Sequence, residues 1–173
     1  MTGFCTTVQQ NGTQVLENRT LTNDIRSKLK GDYVVSKPSL SIGTTDTNVA
    51  NVAFTFQVGG VQYSKAAVAA GTSPGTDVIP EDKYGAIALD INAAGTISIA
   101  SASANATGYD SAGEAVAGIP AVASGKARMG TVSVVRAATG GFTFGTTELD
   151  DADTTTEYTD GQTSLQAIGE AIS

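Results

Sequence analysis

Hydrophobic and polar residues alternate clearly over residues 54–63. In "FTFQVGGVQY" the two phenylalanines and the first valine fall on one face of a strand, and the intervening Thr and Gln fall on the other. Gly59 and Gly60 interrupt the alternation, which resumes at Val61. Both glycines tolerate the positive φ angles of a two-residue hairpin turn. The stretch therefore predicts a β-hairpin with a well-fixed register.

Two further segments repeat this plan. In "YGAIALDINAAGTISIASA" the apolar residues alternate up to an "NAAG" turn and continue after it. In "ARMGTVSVVRAATGGFTFGTTEL" the apolar positions Met129, Val132 and Val134 lead to a second Gly-Gly pair, after which two phenylalanines return. Three Gly-tipped hairpins predict a mainly β fold, an antiparallel β-sandwich or a small barrel, over a β-domain of residues 49–161.

The segments between these hairpins are long. Residues 66–85 and 103–125 are predicted as connectors, and the second contains a possible helical segment over Asp110 to Ala117. Connectors of this length are unusual unless they make contacts of their own, so they are candidate partner surfaces. After Leu149, the acidic and Thr-rich stretch predicts a solvated loop.

The ends of the chain follow other patterns. Residues 1–15 are polar and without period, which predicts an extended arm. From residue 16 to 30, Leu21, Ile25 and Leu29 recur at four-residue spacing and predict a short amphipathic helix. An extended segment follows, with Pro38 confining it to a sheet edge or a bend, so residues 1–48 form an N-terminal region. Residues 162–173 predict a short C-terminal helix or tail.

Composition changes this picture in two ways. Much of the apolar content is Ala, and only 6% of the residues are aromatic. Burial of these side chains contributes little stability, so we expect oligomerisation or docking on a larger assembly to stabilise the fold. The net charge of −7 argues against a nucleic-acid partner, because phosphate contacts need clustered cations. No segment resembles a signal peptide or a membrane span, which predicts a soluble protein made in a cytoplasm.

Candidate chemistry is sparse. The chain has no His, and its single cysteine, Cys5, has no basic neighbour that would activate the thiol. The carboxylates Glu148, Asp150, Asp151 and Asp153 lack the spacing of a calcium loop and are interpreted as a hydrated loop. The glycines do not match a phosphate-binding loop. We therefore expect no enzymatic activity, no cofactor and no metal.

A larger resemblance covers about two thirds of the chain. The stretches "FTFQVGGVQYSKAA", "IPEDKYGAIALDINAAGTISIA" and "IPAVASGKARMGTVSVVRAATGGFTFGTTELDD" resemble a virion structural protein of tailed bacteriophages. The shared motifs are a hairpin ending in Tyr, an Asp/Glu-Lys-Tyr strand start with an "AAGT" turn, a "GKAR" strand start and a closing "GTT.LD". These motifs are structural, so the resemblance indicates a class of protein and not a mechanism.

The resemblance implies a capsid decoration or cement protein on the capsid exterior, bound to the major capsid protein and often a homotrimer. Leu21, Ile25 and Leu29 are the candidate residues for contact with the capsid or with a neighbouring subunit. The same helical face can instead pack against its own β-domain, and the sequence leaves both open. The alternative function is a receptor- or glycan-binding module of a phage fibre or tail, although the stacking aromatics typical of such sites are scarce.

Overall fold

The computed structural model describes residues 31–161, and within them the chain is mainly β, with several antiparallel sheets that do not close into a barrel. The predicted arm, the predicted helix of residues 16–30 and the predicted C-terminal helix lie outside the described residues. The strands are β1 (Tyr33–Val34), β2 (Ser41–Ile42), β3 (Val49–Asn51), β4 (Phe54–Val58), β5 (Val61–Lys65), β6 (Val68–Thr72), β7 (Val78–Ile79), β8 (Tyr84–Asn92), β9 (Ile97–Ser101), β10 (Lys126–Arg136), β11 (Phe142–Thr143) and β12 (Thr154–Asp160). The helix α1 spans Ala112–Ala117.

The strands form four sheets, and every pairing is antiparallel. A four-stranded sheet has the order β12-β10-β8-β9, and three-stranded sheets have the orders β1-β4-β5 and β2-β3-β6. A two-stranded sheet pairs β11 with β7. The predicted mainly β class is confirmed, and the extended segment around Pro38 contributes the edge strands β1 and β2.

Two of the predicted hairpins are present. Strands β4 and β5 pair with Val58 opposite Val61, and the turn glycines Gly59 and Gly60 have φ angles of 61° and 79°. Strands β8 and β9 pair in the same way around the "NAAG" turn, where the amide of Gly95 donates to the carbonyl of Asn92 at 2.9 Å. In both cases the turn residues and the apolar alternation agree, which fixes the register.

The third predicted hairpin is wrong. Strand β10 is flanked by β8 on one side and by β12 on the other, so neither of its edges is open to β11. The chain does turn before Gly141, whose amide donates to the carbonyl of Ala138 at 3.2 Å. The strand that follows then pairs with β7, with Phe142 opposite Ile79.

Two segments predicted as irregular contain strands. The acidic stretch after Leu149 was expected to be a loop, but Thr154–Asp160 pairs along β10 as an edge strand. Its Thr residues are β-branched and suit a half-exposed strand, and exposed and half-buried positions alternate along it. The connector of residues 66–85 likewise holds β6 and β7. The second connector has no strand, and its predicted helix is confirmed as α1.

The main core draws side chains from all four sheets. Its members include Val34, Val49, Phe54, Phe56, Ile79, Ile87, Leu89, Ile91, Val132, Val134, Phe142 and Phe144. Strand β8 is buried on both faces, because its odd-numbered Ile and Leu residues enter this core while Ala86 and Ala88 face a second, smaller cluster. That cluster contains Ala115 of α1, so small side chains on β8 let the helix lie close to the sheet.

Strand β10 contains a bulge that reverses its alternation. The pairing with β8 runs regularly to Arg128 opposite Asp90 and then shifts, so that Gly130 lies opposite Leu89. Met129, the extra residue at the shift, therefore faces the main core, and Val132 faces it after the bulge. An extra residue in one strand has this effect because side chains alternate with a period of two.

Both ends of the described chain lie at the same end of β10. Asp32 accepts hydrogen bonds from the amides of Gly59 at 2.7 Å and Gly125 at 3.1 Å. At the C-terminal end of the described chain, the amide of Gly161 donates to the carbonyl of Met129, the fourth residue of β10, at 2.6 Å. Gly125 and Met129 are four residues apart, which in an extended strand is about 13 Å.

Candidate interaction surface

The residues predicted to contact the capsid or a subunit, Leu21, Ile25 and Leu29, lie outside the described residues. The structure therefore brings none of them into a described site, and their assignment stays a prediction. The connectors were the other predicted partner surfaces. Of these, residues 103–125 are the more informative, because they form a layer on the four-stranded sheet on the side away from the main core.

Tyr109 anchors the first half of this connector. Its amide donates to the carbonyl of Tyr84 at 2.8 Å, and the amide of Tyr84 donates back at 3.0 Å. The phenolic oxygen of Tyr109 accepts a hydrogen bond from the amide of Ala104 at 2.9 Å. The ring packs against the small cluster that holds Ala115. One tyrosine thus ties the connector to the start of β8 and to its own preceding turn.

Asn105 provides a second anchor, and its side chain is buried. Its carbonyl oxygen accepts from the amide of Ala86 at 3.0 Å, and its amide nitrogen donates to the carbonyl of the same residue at 3.0 Å. The same nitrogen also donates to the carboxylate of Asp77 at 2.8 Å. A buried amide with its hydrogen bonds made is far more favourable than an unpaired one, so this position is strongly specified.

The third anchor is a charged pair at the bulge of β10. The Arg128 guanidinium donates to both carboxylate oxygens of Asp90, at 3.0 and 3.3 Å, and to the carbonyl of Pro120 at 2.8 Å. The side chain of Asp90 is 5% exposed and that of Arg128 is 26% exposed. Bidentate geometry of this kind fixes orientation as well as charge. The pair therefore holds the end of the connector over the sheet.

Between these anchors, α1 presents an ordered outer surface. The hydroxyl of Ser111 accepts from the amide of Glu114 at 3.3 Å and caps the first turn, while Ala115 is buried beneath it. Val116 and Val122 remain 36% and 37% exposed. We call Glu114, Val116 and Val122 the α1 surface. Its three residues are exposed on a connector that Ala115 and the Arg128–Pro120 hydrogen bond attach to the sheet.

An exposed ion pair flanks the α1 surface. The ammonium of Lys83 lies 2.6 Å from the carboxylate of Asp110. This hydrogen bond and the opposite charges raise the pKa of Lys83 and lower the pKa of Asp110. The pair joins the start of the helical segment to the turn before β8, and because it is solvated it contributes little to stability.

The predicted hydrated acidic loop lies at the far end of β10. Asp151 accepts a hydrogen bond from the amide of Asp153, and this bond, with the nearby Arg136 guanidinium, lowers the pKa of its carboxyl. Within residues 31–161, no three acidic, cysteine or histidine side chains gather in a group able to hold a metal ion. In the same range, no helix is long and apolar enough to cross a membrane.

Comparison with known proteins does not assign the chain to a family. No family model matches the chain, and no curated protein or solved structure shows significant similarity to it.

Sequence reasoning missed the side chains that fix the connector. Asn105 and Asp90 carry no local signal, because their partners are 19 and 38 residues away in the chain. One indication was available, since Met129 and Val132 are three positions apart and break the alternation at the bulge where Arg128 lies.

Proposed function

We propose that this protein is a non-enzymatic structural protein of a tailed-phage virion, which binds the outer surface of the capsid lattice and stabilises the head. Its partners are the major capsid protein and further copies of itself, as a homotrimer. Under this proposal it is made in the host cytoplasm, ends on the capsid exterior, and uses no cofactor, nucleic acid or membrane. The sheets pack as a β-sandwich in this interpretation.

The observation that carries the proposal is the anchored connector of residues 103–125. Long segments of this kind are usually mobile unless they form contacts or a binding surface. Here Tyr109, Asn105 and Arg128 fix the segment to the sheet, so the α1 surface is already ordered before any partner arrives. Pre-ordering lowers the entropic cost of binding, which favours a role in recognition.

A capsid lattice also makes a small interface sufficient. Each copy of a decoration protein contributes a modest contact, and an oligomer engages several lattice sites at once. The α1 surface has only two exposed valines, a size that suits repeated weak contacts better than one tight complex. The homotrimer is tested by light scattering over a dilution series, where a mass of three chains is expected and a constant monomer mass would contradict it.

The decisive experiment measures binding to phage heads. Purified protein is mixed with heads that lack it, and the bound copies per particle are counted after sedimentation. Hundreds of copies are expected for decoration, whereas a receptor- or glycan-binding fibre module would give far fewer. The double variant Val116→Asp with Val122→Asp should reduce the bound copies at least about tenfold, because two charges would be buried against the lattice.

Two further variants make this result specific. Val52→Asp is the matched control, because Val52 is 48% exposed but lies between β3 and β4, and its binding should be unchanged. The double variant Ile25→Asp with Leu29→Asp tests the predicted N-terminal contact and should abolish binding while the β-domain stays folded. Full binding by every variant would overturn the proposed surfaces, and no binding by the unaltered protein would overturn the proposed function.

A further inference from the structure

Strand β5 has an unpaired edge. It pairs only with β4, and Val58 and Val61 flank the two-residue turn, so they exchange hydrogen bonds and alternate residues of β5 point away from β4. Gln62 and Ser64 therefore direct their N–H and C=O groups outward. Among residues 31–161, no backbone group pairs with this side of the strand. Within the described part of the chain, the edge is therefore open along the whole length of β5.

Apolar side chains beside this edge are only partly covered. Val61 and Tyr63 lie on the core-facing side, because their partners Val58 and Phe56 are buried. Tyr63 stacks on Phe56 with 5.6 Å between ring centroids, but Val61 is 54% exposed. A strand added to this edge would cover Val61 and the outer side of Tyr63.

Natural edge strands are normally protected by bulges, prolines, charges or a covering segment. The β4–β5 register is regular and β5 contains no proline. Its one charge is Lys65, whose ammonium is engaged by the carbonyl of Gly95 at 2.8 Å. Regular pairing, open polar groups and an exposed valine are the features of an edge that another strand occupies.

The chain's own N-terminal residues fit this edge in sequence and in reach. In "FCTTV", residues 4–8, an extended conformation would put Phe4, Thr6 and Val8 on one face and Cys5 and Thr7 on the other. The undescribed N-terminal residues join the body at Gly31, beside the tip of the same hairpin, where Asp32 accepts from the amide of Gly59. From there to the open edge is about two strand spacings, roughly 10 Å. Residues 9–30 are ample for that distance.

We propose that residues 4–8 add to β5 of the same chain as an antiparallel fourth strand of the β1-β4-β5 sheet. The antiparallel direction gives the shorter connection, since such a strand ends at the hairpin tip, close to residue 31. The register that covers the exposed margin puts Val8 opposite Val61 and Phe4 over the stem of Lys65. Cys5 then lies opposite Ser64 on the outer face. This inference does not depend on the proposed function.

The single thiol of the chain provides the test. In the proposed register, Cys5 and residue 64 form a hydrogen-bonded pair with about 5.5 Å between Cα atoms, which a disulfide spans. The variant Ser64→Cys should therefore form an intramolecular disulfide on mild oxidation, with titratable thiols falling from about two per chain to about zero. Ser41→Cys is the matched control, because Ser41 is exposed on the edge strand of another sheet and should keep both thiols.

A second readout is independent of cysteine chemistry. Hydrogen exchange at the amides of Gln62 and Ser64 should be slowed at least about tenfold in the full chain, although the described body leaves them unpaired. Thr7→Pro should restore fast exchange, because it removes an N–H that the proposed register directs at β5. A covalent dimer linked through Cys5 would show that another copy occupies the edge and would overturn the proposal. Fast exchange together with no disulfide would also overturn it.

Discussion

At the scale of single residues, two buried polar side chains lie where the connector of residues 103–125 meets the sheet. Asp90 and Asn105 are both nearly inaccessible to solvent, and each is satisfied by partners from a different segment. Burying such groups is costly unless they are paired, so their partners become essential once the fold is formed. The two residues therefore hold separate chain segments together.

Arg128→Met is expected to destabilise the fold. It leaves the Asp90 carboxylate buried without its cation, so the free energy of unfolding should fall by about 2–4 kcal/mol. Urea denaturation followed by circular dichroism measures this change. Lys126→Met is the control, because the ammonium of Lys126 donates to the hydroxyl of Ser98 at 2.8 Å and has no carboxylate partner among residues 31–161, so its loss should cost less than about 1 kcal/mol. Equal losses in both variants would contradict the role of the Arg128–Asp90 pair.

The environment of Tyr158 leads us to expect that the free energy of unfolding falls in strong alkali. Burial, with the nearby charge of Asp150, raises the pKa of Tyr158 to about 12. Because the folded state holds this proton more tightly than the unfolded state, the resulting stabilisation is complete below pH about 10 and is lost as the pH rises through about 12. Ultraviolet absorbance should show one tyrosine ionising near pH 12. Tyr158→Phe should remove that step, and its persistence would show that another tyrosine is responsible.

At the scale of elements, the bulge of β10 decides which residues enter the core. Because one extra residue lies between Arg128 and Gly130, Met129 and Val132 both face inward although they are three positions apart. A side chain at Gly130 would meet the carbonyl of Thr159 and the side chain of Leu40. The bulge therefore depends on glycine through close approach and not through backbone angle.

Gly130→Ala should destabilise the protein by about 1–3 kcal/mol, since the added methyl group displaces β12 or Leu40. Gly113→Ala is the matched control, because its methyl group meets open space and lies in α1. That change should stabilise by up to about 1 kcal/mol through helix propensity. Thermal unfolding of both variants measures the contrast, and two shifts of the same sign would refute this account.

Local pattern predicted some elements and not others, for physical reasons. The hairpins around Gly59-Gly60 and Gly95 were predictable because turn chemistry and alternation are both local signals. Pairing partners were not, since β11 reaches β7 only because both edges of β10 are already filled. Strand β12 was missed because its Thr and acidic residues are typical of a loop, and it forms a strand by pairing with β10. The anchors of the α1 surface depend on tertiary contacts and could not be predicted.

At the scale of the whole molecule, a shared core joins the four sheets. Core residues come from β1, β3, β4, β7, β8, β10 and β11, so no sheet buries its apolar face alone. This arrangement compensates for the small number of large apolar side chains, because one cluster gathers them from seven strands. The amide of Leu40 donates to the carboxylate of Asp160 at 2.9 Å and so joins two segments that are 120 residues apart in the chain.

The positions of Gly31 and Gly161 have a consequence for engineering. Both leave the body near the first residues of β10, whereas the acidic loop around Asp151 lies at the strand's far end. A short linker joining the two positions should therefore permit a circular permutant opened in that acidic loop. A protein fused directly at Gly31 or Gly161 would lie beside the first residues of β10 and leave the acidic loop around Asp151 clear.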